Sequence, residues 1–295
     1  QVSGYYMRWS KSMSSEATYV AQTDDKADYS MNTMPTDPVV AATFNADLQT
    51  QEGDLFAEDG LWSNESSLFA PGMNIHRTPY NARNHEYYSE DPVLTSAAGI
   101  AVCKGAEAKG LEMEPKHFAF NHQESNRSGV STFISEQGAR ETELRAFQGV
   151  MSSYSCSGIM TAFNRAGTKF VGAYSNLLIN IARNEWGYEG WYNTDMINGA
   201  DYMNWRDLTA GGGGNCLTTA AYDTSRLGTM AASKDKIAKD TKFQQMMKYN
   251  IKFFLYQMAD SNAMNGTTST TVIRHVLTWY QILIYSLDAV FTVLT

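Results

Sequence analysis

The stretch Ile134–Phe163, ISEQGARETELRAFQGVMSSYSCSGIMTAF, decides the fold class. In its first part, Ile134–Met151, residues Ala139, Leu144, Phe147 and Met151 fall near one face of a helix. Its last part, Gly158–Phe163, is a short apolar run that predicts a buried strand. The same two textures recur outward. Upstream, His117–Phe120 (HFAF) predicts another strand. Downstream, Tyr174–Gly187 (YSNLLINIARNEWG) has helical period, with Leu177, Leu178, Ile181 and Trp186 on one side, and stops at a glycine. Strand–helix–strand alternation implies parallel strands joined by crossover helices, so the fold class is α/β. A (β/α)8 TIM-like barrel typically takes about 250 residues, which the 295 residues of this chain accommodate. In such a barrel the chemistry sits at the C-terminal ends of the strands. Asp195, Lys116–His117 and Phe163–Asn164 fall at or near such ends.

Composition narrows the function classes. The hydrophobic share of 43% suits a globular core. A formal net charge of −8 argues against a nucleic-acid partner. The densest basic stretch, Lys234–Lys252, interleaves Asp235 and Asp240 and reads as a solvated helix face. Cys103, Cys156 and Cys216 are widely spaced, with no CxxC and no zinc pattern, and read as buried free thiols. The five histidines show neither HxH nor HExxH, so no metal site is expected. Thr209–Asn215 (TAGGGGN) reads as a mobile turn and lacks the GxGxxG fingerprint. No GxSxG elbow is present, and no cofactor is expected.

The ends of the chain differ. QVSGYYMRWS at the start has no basic n-region and no apolar h-region, and reads as a cut inside a longer protein. Val276–Leu294 (VLTWYQILIYSLDAVFTVL) approaches the length of a membrane-spanning helix. Gln281 and Asp288 oppose insertion, since a mid-membrane carboxylate costs roughly 2.5–3.5 kcal/mol. Membrane contact through 276–294 and a helix packed on protein both stand as readings.

Three clusters carry chemistry. Ala70–Pro92 (APGMNIHRTPYNARNHEYYSEDP) gathers Arg77, Arg83, Glu86, Glu90 and Asp91 among aromatics. Arginine beside tyrosine and carboxylate is a way to hold sugars, whose hydroxyls take charged partners and whose ring faces take aromatics. Glu114–Gly129 (EPKHFAFNHQESNRSG) sets Lys116 and His117 side by side, with Arg127 ten residues on. On a regular strand these neighbours point to opposite faces; a bent strand end brings both to one cleft. Two cations together suit an anionic or hydroxyl-rich ligand. Asp195 closes the run WYNTD; it is either a turn residue or an active-site acid. As a nucleophile it is expected to be held ionised by Lys116, His117, Arg83 and Arg127.

Five segments occur in order: Ala70–Pro92, KHFAFNHQESNRSGVSTFISEQGARE, GIMTAFNRAG, NEWGYEGWYNTD and SNAMNG. Together they resemble the barrel domain of glycoside hydrolase family 3, the β-glucosidase-type enzymes, over roughly Ala17–Gly266, with AATFNADL (Ala41–Leu48) similar to the segment ahead of the arginine-rich loop. The texture is most similar to the domain-permuted bacterial branch, where a sandwich domain precedes the barrel and SNAMNG is followed by a hydrophobic helix, here beginning LTWYQ. The resemblance implies a barrel domain over 1–266 and a hydrophobic, membrane-anchoring helix over 272–295. It implies that Asp195 is the nucleophile, that Lys116 and His117 bind sugar hydroxyls, and that Arg83 and Arg127 are further sugar contacts. Phe163 takes the place of a family tyrosine, and Asp24 that of the aspartate in the loop gripping the terminal sugar. Here that loop reads TDDKADYS (Thr23–Ser30), without the family's glycines, proline and arginine.

The function so implied is a retaining exo-β-glycosidase, most simply a β-glucosidase, acting on oligosaccharides or aryl β-glycosides. The acid/base comes from the upstream sandwich domain or a second chain. The eroded loop and Phe163 keep a second reading, a non-catalytic sugar-binding module attached to a membrane. A homodimer, and a place at a bacterial membrane or cell surface as against the cytoplasm, are also carried as expectations.

Overall fold

The apolar runs that predict strands lie side by side and parallel. In the computed structural model the strands are β1 Ser67–Leu68, β2 Glu112–Met113, β3 Lys116–Phe118, β4 Ser131–Thr132, β5 Gly158–Thr161, β6 Arg165–Ala166, β7 Lys169–Phe170 and β8 Trp191–Thr194. The helices are α1 Asp37–Ala41, α2 Ala46–Ser63, α3 Pro92–Glu107, α4 Glu136–Glu141, α5 Glu143–Ser152, α6 Trp205–Gly211 and α7 Thr241–Asp260. The structure describes residues 34–63, 65–195, 205–213 and 238–264, with positions 283, 285 and 286. All the elements named belong to the unit Gln1–Ala263.

β1 pairs with β2, and β3–β5–β8 form a parallel sheet in which Gly158 faces Trp191 and Thr161 faces Thr194. Gly72 bridges to Lys116, and Met73 N–H donates to Lys116 O at 2.6 Å, so the two sheets join into one arc. Every residue of β5 and β8 is buried. Strands covered on both faces lose the apolar–polar alternation, which is why they read as short continuous runs. Closure of this arc into a ring is not seen among the described residues. The strand ends are extended by a small second sheet, β4–β6–β7, that sits on the segments carrying Arg127 and Phe163.

The crossovers follow the predicted faces, with two local differences. Ala139, Leu144, Phe147 and Met151 are all buried, as the period requires. The helix is nevertheless broken at Thr142 (φ −117°, ψ −85°), whose hydroxyl donates to Gly138 O at 2.7 Å. A threonine hydroxyl competes in this way for the preceding turn's carbonyl. The break starts α5 afresh at Glu143 and turns that side chain inward. The second crossover, Asn176–Glu185, runs in π register, with Trp186 N–H donating to Ile181 O. It ends, as expected, at Gly187, whose φ is +74°.

The glycine patch is not a mobile turn over its described part. Gly211 and Gly213 are buried, and a Cβ on them would lie 2.2 Å from Ala173 O and 2.4 Å from Gly172 O. Close backbone approach, not flexibility, calls for glycine there. Asn250 of α7 donates to Thr209 O and Gly213 O, fastening the patch. Lys242, Lys248 and Lys252 are exposed along α7, as the charge pattern predicts. Cys103 and Cys156 are buried free thiols; Cys216 lies outside the described residues. So do the 23–30 loop with Asp24, and nearly all of Val276–Leu294. No helix among the described residues is long and apolar enough to cross a membrane.

Candidate active site

Asp195 follows β8 directly, and its N–H donates to Thr161 O of β5 at 2.9 Å. The ladder thus carries one residue past the strand and holds the carboxylate at the C-terminal rim. Its side chain is 12% exposed. Arg127 Nη1 lies 3.5 Å from Asp195 Oδ2, and His117 Nε2 lies 3.5 Å from the same oxygen. The Arg127 guanidinium carbon sits 4.5 Å above the Phe163 ring, so Phe163 is its cation–π floor. β5 brings Phe163 there because it ends two residues earlier, at Thr161.

His117 is buried in β3, and its main chain is gripped at both ends by Asn74. Asn74 Oδ1 accepts from His117 N–H at 2.8 Å and Nδ2 donates to His117 O at 3.0 Å. The Lys116–His117 and Phe118–Ala119 peptides are cis. Arg83 Nη2 reaches His117 Nε2 at 3.2 Å. An arginine can only donate, so Nε2 accepts and Nδ1 carries the proton toward Tyr87 Oη, 3.4 Å away. Burial, then the charges of Arg83, Lys116 and Arg127, hold the imidazole well below its usual pKa. His117 is therefore neutral, and its contact with Asp195 is not an ion pair.

This corrects the expected ring of cations around Asp195. Lys116 Nζ turns to Glu86 Oε2 at 3.3 Å, and Arg83 Nε pairs with Glu86 Oε1. Arg83 Nη1 also lies 3.7 Å from Glu124 Oε1. Arg127 Nη1 is shared between Asp195 and Glu124 Oε2, the latter at 3.2 Å. Glu86 is largely buried, and the charges of Lys116 and Arg83 outweigh that burial and hold its carboxyl below the usual range. The site is thus an alternating lattice of Arg83, Lys116 and Arg127 against Glu86, Glu124 and Asp195. Asn121 Nδ2 ties Tyr87 Oη to Glu124 Oε1.

The structure brings together Arg83, Lys116, His117, Arg127, Phe163 and Asp195. It adds Glu86, which the sequence placed only in the broad 70–92 cluster, and Glu124, Asn74, Tyr87 and Asn121, which sequence reasoning did not assign to the site. A signal existed for two of them. Glu86 is three residues after Arg83 and Glu124 three before Arg127, the separation at which side chains meet on one turn. Among the described residues, no group of three or more His, Cys, Asp or Glu could hold a metal ion.

Residues 26–207 match the model of the glycosyl hydrolase family 3 N terminal domain. The chain belongs to glycosyl hydrolase family 3. It is 36% identical over 165 residues to a β-glucosidase of Ruminococcus albus, covering 55% of this chain and 17% of that protein. It is 34% identical over 172 residues to an exo-α-(1→6)-L-arabinopyranosidase of Bifidobacterium breve, covering 58% and 22%. β-Glucosidase 3B of Thermotoga neapolitana, solved in complex with glucose, superposes with a TM-score of 0.73 at 29% identity, covering 82% of this chain and 34% of that one. The chain thus spans well under half the length of each of these family 3 relatives.

Proposed function

We propose that this chain carries the nucleophile and the terminal sugar subsite of a retaining exo-β-glycosidase, most simply a β-glucosidase. In this reading the strand arc is part of a (β/α)8 barrel whose C-terminal rim is the sugar site. The observation that supports it best is Asp195. The β5–β8 ladder presents it at the rim, beside Arg127 and the neutral imidazole of His117. A glycosidase nucleophile needs to be ionised, partly exposed and steadied by a donor that does not consume its charge, which here is Arg127. Asp195 Oδ attacks the anomeric carbon as the bond to the leaving oxygen breaks. That oxygen takes a proton from a carboxylic acid, leaving a glycosyl ester. Water then attacks the same carbon, gives its proton back to the acid/base, and frees Asp195.

Two carboxyl groups are required, about 5–5.5 Å apart in retaining enzymes. Glu86 and Glu124 already serve as counter-charges to the arginines and the lysine. The proton donor is assigned, as the family resemblance implies, to a sandwich domain or second chain outside these residues. Lys116, Arg83 and Arg127 donate to sugar hydroxyls, with His117 a further polar contact. The relatives named above act on glucosides and on an arabinopyranoside, so glucose is the first sugar to try. The test is hydrolysis of an aryl β-glucoside by the full-length protein and by Asp195→Ala. Loss of turnover in the variant supports the reading, and equal rates remove Asp195 from the mechanism.

A further inference from the structure

Glu143 stands in the first turn of α5, apart from the sugar lattice, and its side chain is 1% exposed. Its two oxygens face two different loops. Oε1 accepts from Arg77 Nη1 at 3.0 Å. Oε2 lies 2.9 Å from His122 Nε2. That second contact is a close packing of carboxylate on imidazole, since neither His122 ring nitrogen makes an aligned hydrogen bond among the described residues. Arg77 precedes Arg83 and Glu86 on the segment between β1 and α3, and His122 precedes Glu124 and Arg127 on the segment between β3 and β4. One buried carboxylate thus pairs with one of the loops that supply the lattice around Asp195 and packs against the other. The loops also meet inside the site, through Arg83–Glu124 and Asn121–Tyr87. Glu143 fastens them from the helix side. A carboxylate this deep is costly without partners, so its two partners and the break at Thr142 belong to one arrangement.

We propose that Glu143 is a positioning residue, which clamps the loops bearing Arg83 and Arg127 and so sets the sugar contacts without touching the sugar. This rests on the reading of Asp195 and its neighbours as a glycosidase site. The expected defect is in substrate capture, because the variant leaves Asp195 and its ladder intact. Loops displaced by a fraction of an ångström lose contacts that depend on geometry.

The test uses two readouts on the whole chain. The first is single-turnover release of dinitrophenolate from 2,4-dinitrophenyl β-glucoside, a leaving group that departs without a proton. In Glu143→Ala the half-saturating concentration is expected to rise about tenfold while the maximal rate stays within about threefold. Arg77→Ala, at a side chain 46% exposed, opens no cavity and is expected to give a rise of about three- to tenfold. Glu143→Gln keeps the shape and an acceptor for Arg77, and is expected to recover most of the loss. The second readout is amide hydrogen exchange over 76–91 and 119–130. Both segments should exchange faster in Glu143→Ala, and the first in Arg77→Ala. Unchanged exchange in both variants overturns the clamp, as does a fall in maximal rate at constant half-saturation. If the wild-type chain releases no dinitrophenolate, the glycosidase reading fails, and hydrogen exchange still decides the clamp.

Discussion

Asp195 depends on residues whose roles differ from what their types suggest. Phe163 is a floor for Arg127, so the contact concerns the ring and not a hydroxyl. Phe163→Ala should weaken the hold by about 0.5–1 kcal/mol and raise KM for an aryl β-glucoside roughly two- to fivefold. Phe163→Tyr should leave it unchanged. Glu86 separates Arg83 from Lys116. Glu86→Ala leaves two half-buried cations facing one another, and kcat/KM should fall at least about tenfold. A KM series over these three variants checks both statements. Asp195 was legible in the sequence because it closes the apolar run of β8, and Arg83, Lys116, His117 and Arg127 because they stand in the two charge-rich clusters at 70–92 and 114–129. Their pairing was not. Whether His117 is charged depends first on its burial and then on Arg83, Lys116 and Arg127 converging from separate segments, and no local pattern carries that information.

At the scale of elements, the predicted faces held and the helical regularity did not. Leu144, Phe147 and Met151 are buried whether or not the helix pauses at Thr142, so the apolar pattern could not show the break. Likewise, π and α registers differ too little over Asn176–Glu185 to separate Leu177, Leu178 and Ile181 from an ordinary apolar stripe. The stop signal at Gly187 was legible. Ser135 caps α4, with its hydroxyl oxygen accepting from Gly138 N–H at 3.1 Å. Ser135→Ala should cost about 1 kcal/mol in urea denaturation. Gly187→Ala should cost about 1–2 kcal/mol, since φ there is +74°.

For the molecule as a whole, the N-terminal ends of the strands hold a second set of carboxyls, opposite the Asp195 rim. Burial pushes Glu114 up to about 7, Glu107 up to about 7, and Glu112, with its acidic neighbours adding, up to about 8. Burial in α2 pushes Glu52 up to about 7. Each group binds its proton more tightly folded than unfolded. Stability should therefore be greatest near pH 5 and fall as pH rises toward 8, as thermal unfolding across that range would register. Glu114→Gln should stabilise by about 1–3 kcal/mol at pH 8 and by little at pH 5. This pH sensitivity was not legible in composition, because it arises from burial of the particular glutamates at 107, 112 and 114. The chain's central assignment is that it performs the glycosylation step on Asp195, with the proton supplied from elsewhere. The most direct measurement is to incubate it with 2,4-dinitrophenyl 2-deoxy-2-fluoro-β-glucoside, which needs no acid, and to map the adduct by peptide mass spectrometry. A fluoroglucosyl ester on Asp195 is the predicted result. An adduct on any other residue, or none while dinitrophenolate is still released, would contradict it.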